Sequence, residues 1–568
     1  MRDTHRKGTL AADRREEILE RMAQEELDLL VIGGGITGAG IAWDAAVRGM
    51  SVGLIEMRDF AFGTSSRSTK LVHGGLRYLK QGEWKLVREV GRERKLLHKR
   101  LPHLIRPVPM LLPVYKGGTY GYYTSSLGIW LYDWLAGVEK SERRRMLDRK
   151  ETLRLEPLLQ QEGLRGAGLY YEYTTDDARL TIEIIKSAVL HGVLACNYVQ
   201  AVDFLYKRSR LIGVQVQDQL SGRRYSLYAR RIVNAAGPWV DHLRRLDQSL
   251  TGKQLRLTKG VHLVVDHGRL PIRQAVYFDA PDGRMIFAIP RGAKTYIGTT
   301  DTEYDGDPAE PRVAAEDAAY LLEAVNRVFP EAELAAADIE SGWAGLRPLI
   351  HEPGKRPSEI SRKDEIFLAP SGLISIAGGK LTGFRKMAKK VVNLVAMQLE
   401  EEYGPIYPPC TTDRIAVSGG PAPGAEDESA AAVEQKMIEC AASLGISEGD
   451  ARDLWSRYGV NMQRVLDLYR EQPGSERQQD GQRQREDRLL AAEVLYCIDE
   501  EMTLSALDFL LRRTGWLLFD RKRAEGAVDA VIRVLARRLG WDEARCASER
   551  ELVRKELSDI VQISRNRI

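Results

Sequence analysis

Several charged and polar residues in this chain sit where a packed core has no use for them. Arg77 in HGGLRYL, Arg347 in GLRPL and Lys380 in GGKLT each lie within two residues of a glycine or proline. Cations gathered in this way suit a small anionic substrate, and the arginine fork matches a phosphate best. Tyr78, beside Arg77, adds a hydroxyl donor. Two histidines compete for the role of base: His262, at the entrance of a strand, and His73, next to Gly74-Gly75. A base of this kind, set beside a hydride acceptor, suits an oxidation that removes a proton and a hydride.

The acceptor is announced by Leu27–Glu56. A short apolar run, Leu27–Ile32, reads as a buried parallel strand. Gly33-Gly34-Gly35-Ile36-Thr37-Gly38 follows and fits G-x-G-x-x-G. An alanine-rich helix, Ile36–Arg48, and a second strand, Ser51–Ile55, come next, and the acid Glu56 ends that strand. Gly33 permits the tight turn, Gly35 lets backbone approach a pyrophosphate, and Gly38 lets the helix pack against the strand. The helix N-terminus, at Ile36 and Thr37, offers unpaired N–H groups to the phosphates. Glu56 lies near the usual offset of about 20 residues for the acid that binds ribose hydroxyls, and its charge disfavours a 2′-phosphate. The motif alone does not choose between FAD and NAD. The next stretch, Phe62–Tyr78, is dense in small hydroxyl residues, glycines and bases. An NAD enzyme would normally enter its next βα unit here; a polar segment lying along a ring system is more like a flavoprotein.

The elements that must position these residues follow in order. Asp176-Asp177-Ala178-Arg179 reads as an N-cap and first turn for a helix over Leu180–His191. Strands are expected near Leu194–Val199, Leu211–Gln217 and Tyr225–Asn234. The last runs into Asn234-Ala235-Ala236-Gly237-Pro238-Trp239, where small residues, Gly237 among them, again suit close approach to a nucleotide. Strand signals over Lys259–Val265, Ala275–Phe278, Arg284–Pro290 and Thr295–Thr300 imply a mostly antiparallel sheet inserted as a substrate cap. Val313–Phe329 is expected to be a helix. Leu373–Ala377, Gly378-Gly379 and Leu381–Leu399 form a second strand–glycine–helix unit whose N-terminus can face a ligand. The fold class is therefore α/β: a Rossmann-like FAD-binding domain with an inserted antiparallel-sheet cap, plus a C-terminal helical bundle. The expected boundaries are an N-terminal helical extension over 1–26, a discontinuous FAD-binding domain over 27–404 with cap segments at about 80–170 and 255–350, a proline-rich linker over 405–428 and the helical domain over 429–568.

Composition narrows the function classes. Over 568 residues, Lys+Arg 84 against Asp+Glu 80 leaves a net charge of +4, small for a nucleic-acid binder. Five scattered cysteines without CxxC spacing argue against zinc and redox-disulfide chemistry and for a reducing interior, so no metal site is expected. The N-terminus has no signal-peptide core, and no apolar run reaches about 18 residues, so any membrane contact must be peripheral. The aromatics of Tyr115–Val138 are read as core packing in preference to a membrane interface. Arg88, Arg92, Arg94 and Lys95, and later Arg385, Lys386, Lys389 and Lys390, are read as solvated helix faces.

These stretches resemble one family. DLLVIGGGITGAGIAWDAAVRG, TSSRSTKLVHGGLRYL, NAAGPWV, TKGVHLVV, IPRGAKTYIGTTDTEY, GLRPL and AGGKLTGFRK are similar, in this order, to stretches of the FAD-dependent glycerol-3-phosphate dehydrogenases of the aerobic, quinone-linked type. The resemblance runs from about Asp28 to Lys390, and the bundle after the linker also looks like that family's C-terminal domain. It implies a cytoplasm-facing flavoprotein, peripheral on the inner face of the cell membrane, that oxidises sn-glycerol 3-phosphate to dihydroxyacetone phosphate and passes electrons to quinone. By resemblance Arg362 joins Arg77, Tyr78, Arg347 and Lys380 at the substrate, with His262 as base or Arg347 as stabiliser of the developing alkoxide. Gly33, Gly35, Gly38 and Glu56 would hold the ADP half of the flavin. Ser65, Ser66, Ser68, Lys70 and His73 would follow the pyrophosphate-to-ring path, and Gly379, Lys380, Leu381 and Thr382 would lie near the pyrimidine end. The bond to flavin is expected to be non-covalent, and a homodimer is left open. The alternatives are a glycerol-3-phosphate oxidase using O₂, whose extra cap insertion is not evident here, an amine- or amino-acid-oxidising relative, and a non-enzymatic RNA-directed protein.

Overall fold

The structure, a computed structural model, describes residues 8–73, 84–118, 142–351, 364–421, 429–472 and 481–565. Arg77, Tyr78 and Arg362, and the aromatics from Tyr120 to Trp134, lie outside the described residues.

Apolar strands buried on both faces need helices on both sides, and a parallel sheet supplies that arrangement. The central strand Leu27–Ile32 pairs in parallel with Val52–Ile55 on one side and Arg224–Asn234 on the other. Leu194–Cys196 extends one edge in parallel, Ile374–Ala377 extends the other, and Glu365–Leu368 closes that edge antiparallel. The dinucleotide fold thus resumes twice after long excursions. Helix Ile36–Val47 is buried on nearly every side, between helices Asp177–Leu190 and Phe384–Tyr403. Its one charged residue toward that interior, Asp44, is bonded to Arg48 at 2.7 Å.

The cap is a second sheet. From one edge it runs Thr302–Glu303, Leu255–Asp266, Lys294–Gly298, Met285–Arg291, Ala275–Asp279, Arg106–Tyr115, Leu164–Thr174 and Leu71–Val72. Ile339–Ile350 also pairs with Leu255–Asp266, and Arg145–Asp148 pairs with Leu164–Thr174. Two stretches of chain far apart in sequence are joined where Arg106–Tyr115 meets Ala275–Asp279, a parallel pairing in a sheet whose other pairings among the described residues are antiparallel.

Two charges expected in solvent are buried. Arg94 shares the stripe of helix Trp84–Arg100 that carries Val87, Val90 and Leu97, and it bonds Glu172 at 3.0 Å. Arg385 faces inward in the first turn of Phe384–Tyr403, bonded to Glu93 at 2.9 Å and to Thr412 Oγ1. Arg88, Arg92 and Lys95 are exposed, as are Lys389 and Lys390. Helical spacing decided the difference, because charge counting ignores which stripe a residue occupies.

The segment after that helix is strapped down. Thr412 and Val417 are buried, and a Cβ on Gly420 would collide with the Arg100 carbonyl oxygen. The ring of His103 fills the space between Gly419 and Gly459. The chain then forms the helices Ala430–Ser443, Glu448–Tyr458, Met462–Glu471, Gln482–Glu501, Arg521–Leu539 and Glu543–Arg565. No helix among the described residues is long and apolar enough to cross a membrane.

Burial sets two expectations. Arg385→Ala leaves Glu93 charged and unpaired in the core, and should cost about 3–5 kcal/mol in urea unfolding, while replacing both partners by apolar residues should cost far less. His103 and His262 are both buried, and burial, with cationic neighbours, holds each well below the ordinary 6.5. The unfolded chain then takes up the protons first, so their contribution to stability is complete above about pH 6.5 and is lost as pH falls. Each should steepen the loss by about 1.4 kcal/mol per pH unit, and His103→Gln should remove its share from the slope of unfolding free energy against pH.

Candidate active site

The ends of the parallel strands open into one cavity of ≈ 430 Å³. Gly33, at φ +117°, turns the chain so tightly that a Cβ there would sit 2.6 Å from the Ala235 carbonyl oxygen. A Cβ on Gly38 would strike the Gly33 carbonyl oxygen, so the helix starts directly behind the turn. No side chain within the helix caps it; Ser65 Oγ accepts from the Ile36 N–H at 3.0 Å. Glu56 accepts from the Gly34 N–H at 2.7 Å and the Arg58 N–H at 3.0 Å. Burial raises the Glu56 carboxyl above its ordinary value, against these two bonds, which lower it.

The opposite wall is the second glycine turn. Gly378 and Gly379 have φ near +78° and +79°, and Lys380 leads into the short turn Leu381–Gly383 before helix Phe384–Tyr403. A helix N-terminus at each wall, a turn with no room for a Cβ, and a carboxylate at the end of the second strand fit a dinucleotide with its pyrophosphate between the walls.

Most expected cofactor contacts border this cavity. Gly33, Gly35, Ile36, Thr37 and Glu56 do so at the first turn, Ser65, Ser68 and Gly237 beside it, and Gly379, Lys380 and Leu381 at the second. Gly38, Ser66, Lys70, His73 and Thr382 do not. The Lys70 ammonium is bonded to Asp177 at 2.5 Å and to the Ser66 carbonyl oxygen at 3.2 Å. His73 stands edge-on to Phe287, with ring centres 6.0 Å apart. Sequence reading missed Val199–Ala201, Met57 and Trp239, which also border the cavity. Nothing in the sequence of Val199–Ala201 marks it, since it is backbone entering an antiparallel arm.

Between the cavity and the cap sheet runs the segment Gly63–Lys70. Thr64 Oγ1 donates to the Leu346 carbonyl at 2.7 Å, Trp343 Nε1 donates to the Ser68 carbonyl at 3.1 Å, and Tyr296 OH donates to the Thr69 carbonyl at 3.1 Å. Thr69 Oγ1 lies 3.0 Å from His262 Nε2. His262 is paired across the sheet with Gly298 and Trp343. Its ring stacks on Trp343 at 4.7 Å and 11°, and a Cβ on Gly298 would occupy the ring's place. Burial, then the charges of Arg347 and Lys70, keep this imidazole neutral. Its Nδ1 has no hydrogen-bond partner among the described residues.

Arg347 pairs with Thr258, two steps of alternation from His262, so both project from one face of the cap. Its guanidinium crosses Gly260 and donates to Asp301 Oδ1 and Thr299 Oγ1, each at 3.0 Å, and to the Thr300 carbonyl at 3.2 Å. Neither His262 nor Arg347 borders the cavity itself; Pro348, next to Arg347, does. The arrangement joins a neutral imidazole and a fixed guanidinium on one sheet to a cleft suited to a dinucleotide on the other. No group of three or more His, Cys, Asp or Glu among the described residues is placed to hold a metal ion.

Known proteins share this plan. Residues 28–385 match the family model described as FAD dependent oxidoreductase, and residues 410–546 match the C-terminal domain of alpha-glycerophosphate oxidase. Aerobic glycerol-3-phosphate dehydrogenase of Bacillus subtilis (strain 168) is 52% identical over 548 residues, 96% of this chain and 97% of the relative. The protein of the same name from Staphylococcus aureus (strain USA300) is 48% identical over 97% of this chain and 98% of its own. The X-ray structure of glycerol-3-phosphate dehydrogenase from Bacillus halodurans complexed with FAD superposes with a TM-score of 0.82, at 44% identity, covering 97% of this chain and 98% of that one. The chain is an FAD enzyme and belongs to the aerobic glycerol-3-phosphate dehydrogenase family.

Proposed function

We propose that this enzyme oxidises sn-glycerol 3-phosphate to dihydroxyacetone phosphate and delivers the electrons to a quinone, while resting peripherally on the cytoplasmic face of a membrane. The reading rests on one arrangement: a buried neutral imidazole and a fixed guanidinium on the same face of a cap sheet, beside a cleft suited to FAD. The names of the relatives supply the substrate.

In the cleft, Glu56 meets the ribose hydroxyls, and the backbone at Gly33–Thr37 meets the pyrophosphate. Ser65 and Ser68 continue along the cofactor, and Gly379–Leu381 flank its ring end. When bound, FAD accepts the hydride from the carbinol carbon. The neutral His262 takes the hydroxyl proton, with Trp343 and Thr69 fixing its ring plane. Arg347 and Lys380 balance the charge of the substrate phosphate and of the developing alkoxide, joined by Arg77, Tyr78 and Arg362. Asp301 orients the Arg347 fork. The segment Gly63–Lys70 keeps bulk water away from His262, which is 1% exposed.

Three measurements check this reading. The yellow holoenzyme should bleach anaerobically with glycerol 3-phosphate; bleaching only with an amine would overturn the substrate. Reoxidation should be faster with a quinone analogue than with O₂, and the reverse order would make the protein an oxidase. His262→Ala should lower kcat by about 10²- to 10⁴-fold with a much smaller change in KM; unchanged turnover removes it from the chemistry.

A further inference from the structure

We propose that the C-terminal helical domain is a working part of the cofactor site, and that Asp59 is the positioning residue through which it acts, fixing the loop that carries Glu56. The inference rests on the reading of Glu56 as the ribose-binding acid. It goes beyond that reading by assigning a role to a domain that carries no catalytic side chain.

Asp59 is fully buried, and its carboxylate is saturated. One oxygen accepts from Arg512 Nε at 2.5 Å and Arg513 Nη1 at 2.7 Å; the other accepts from Arg513 Nη2 at 2.9 Å and Asn197 Nδ2 at 3.1 Å. Both arginines belong to the helical domain, in the turn Asp508–Arg513. Burial alone would raise the Asp59 carboxyl, but Arg513 and Arg512 overcome it and hold it at about 2.

The loop around Asp59 is folded onto the nucleotide turn. Glu56 takes the Gly34 N–H, and three residues beyond Arg58 the Ala61 N–H returns to the Gly34 carbonyl at 3.0 Å. The Phe62 N–H closes on the Asp59 carbonyl at 3.1 Å. A Cβ on Gly34 would lie 2.7 Å from Glu56 Cβ and 2.8 Å from Phe60 Cδ1, so the loop has no slack against the turn. Displacing Asp59 therefore displaces Glu56. Arg512 and Asp59 also act on the Glu56 carboxyl directly, the one lowering it and the other raising it.

The attachment is a closed electrostatic unit. Arg512 also bonds Asp508 at 2.6 Å, and Tyr198 OH donates to the same Asp508 oxygen at 2.7 Å. Glu501 receives Arg179 at 2.6 Å, with Lys186 at 3.5 Å and Arg513 at 3.4 Å; Glu183 receives Arg179 and Lys186. The FAD-binding domain contributes Asp59, Glu183, Arg179 and Lys186, and the helical domain Glu501, Asp508, Arg512 and Arg513. Each set is neutral, and the bonds that cross between domains include both arginines on Asp59. Asp59 is the member of this unit that lies in the loop of the ribose acid; Lys186 is remote from it in the helix Asp177–Leu190.

The test uses full-length apoprotein reconstituted with FAD, followed by the quenching of flavin fluorescence. Asp59→Asn and Arg512→Lys should each weaken FAD binding at least 10-fold and weaken competition by ADP in proportion, while FMN binding changes less than twofold. Lys186→Met, which cuts the same charge cluster away from the loop, should lower Tm yet leave the Kd for FAD within twofold. Arg512→Lys retains the charge and loses the fork, so it decides the matter should Asp59→Asn fail to fold. Kd values for FAD within twofold of wild type in the Asp59 and Arg512 variants, whatever their Tm, would overturn the proposal. So would equal losses for FAD and FMN. Glu56→Gln separates the two readings: if it leaves FAD affinity unchanged, the assignment of Glu56 fails by itself, whereas impaired Glu56→Gln beside intact Asp59 variants refutes only the inference drawn here.

Discussion

The site depends on a short polar strap, Gly63–Lys70, that lies between the two sheets and bonds to elements of both. Each of its groups is committed to a different layer. Ser65 reaches the first helix of the nucleotide fold, Thr64 and the Ser68 carbonyl reach the strand Ile339–Ile350, and Thr69 reaches His262. Asp177 takes both the Ser68 N–H at 2.9 Å and the Lys70 ammonium, tying the strap to the helix Asp177–Leu190. Buried backbone polar groups must be paired, and small hydroxyl residues pair them without adding bulk between the layers. That is the physical content of a run such as TSSRST. The strap fastens the cap to the cleft.

The cap itself had to be hollowed out to carry functional side chains on a sheet. A guanidinium and an imidazole stand only where neighbouring positions have no Cβ: Arg347 lies over Gly260, and His262 beside Gly298. Gly345, one alternation from Arg347, leaves the space that the Arg67 carbonyl occupies. Antiparallel pairing then fixes the spacing between the imidazole and the guanidinium, since register sets which residues share a face. A slip by one residue would send both side chains to the apolar core on the other side of the sheet, formed by Val261, Leu263 and Ala344 among others.

Much of this was legible in the sequence, for reasons that can be named. The strand–glycine–helix–strand–acid order at Leu27–Glu56 is local, and each residue type is demanded by a contact within about 30 positions. The resumption at Arg224–Asn234 and Ile374–Ala377 was legible because small residues directly after an apolar strand have few other uses. Lys70 was misleading because its partner, Asp177, lies in another element and is itself read as a helix start. Arg94 and Arg385 look like surface charges until Glu172 and Glu93 are brought beside them by the fold. Prolines and glycines over 405–428 suggest a linker, yet Gly419 and Gly420 serve close packing against His103 and Arg100. In each case the deciding partner is distant in sequence: a carboxylate for the three cations, the His103 ring and the Arg100 carbonyl for the two glycines.

The same reasoning bears on why two domains that share an apolar core should also meet through buried ions. Ion pairs taken out of water gain little net stability, because desolvation offsets most of their attraction. They do penalise every wrong docking, since a shifted register strands a charge in the interior. Here the two ionic sets are each neutral while apart, and docking must bring Arg179 to Glu501 and Arg513 to Asp59 together. An interface that needs that degree of angular definition makes sense if something beyond cohesion is being aligned. The loop on which Asp59 sits, which also carries Glu56, the acid proposed to bind the ribose, is the part of the FAD-binding domain for which such definition would matter.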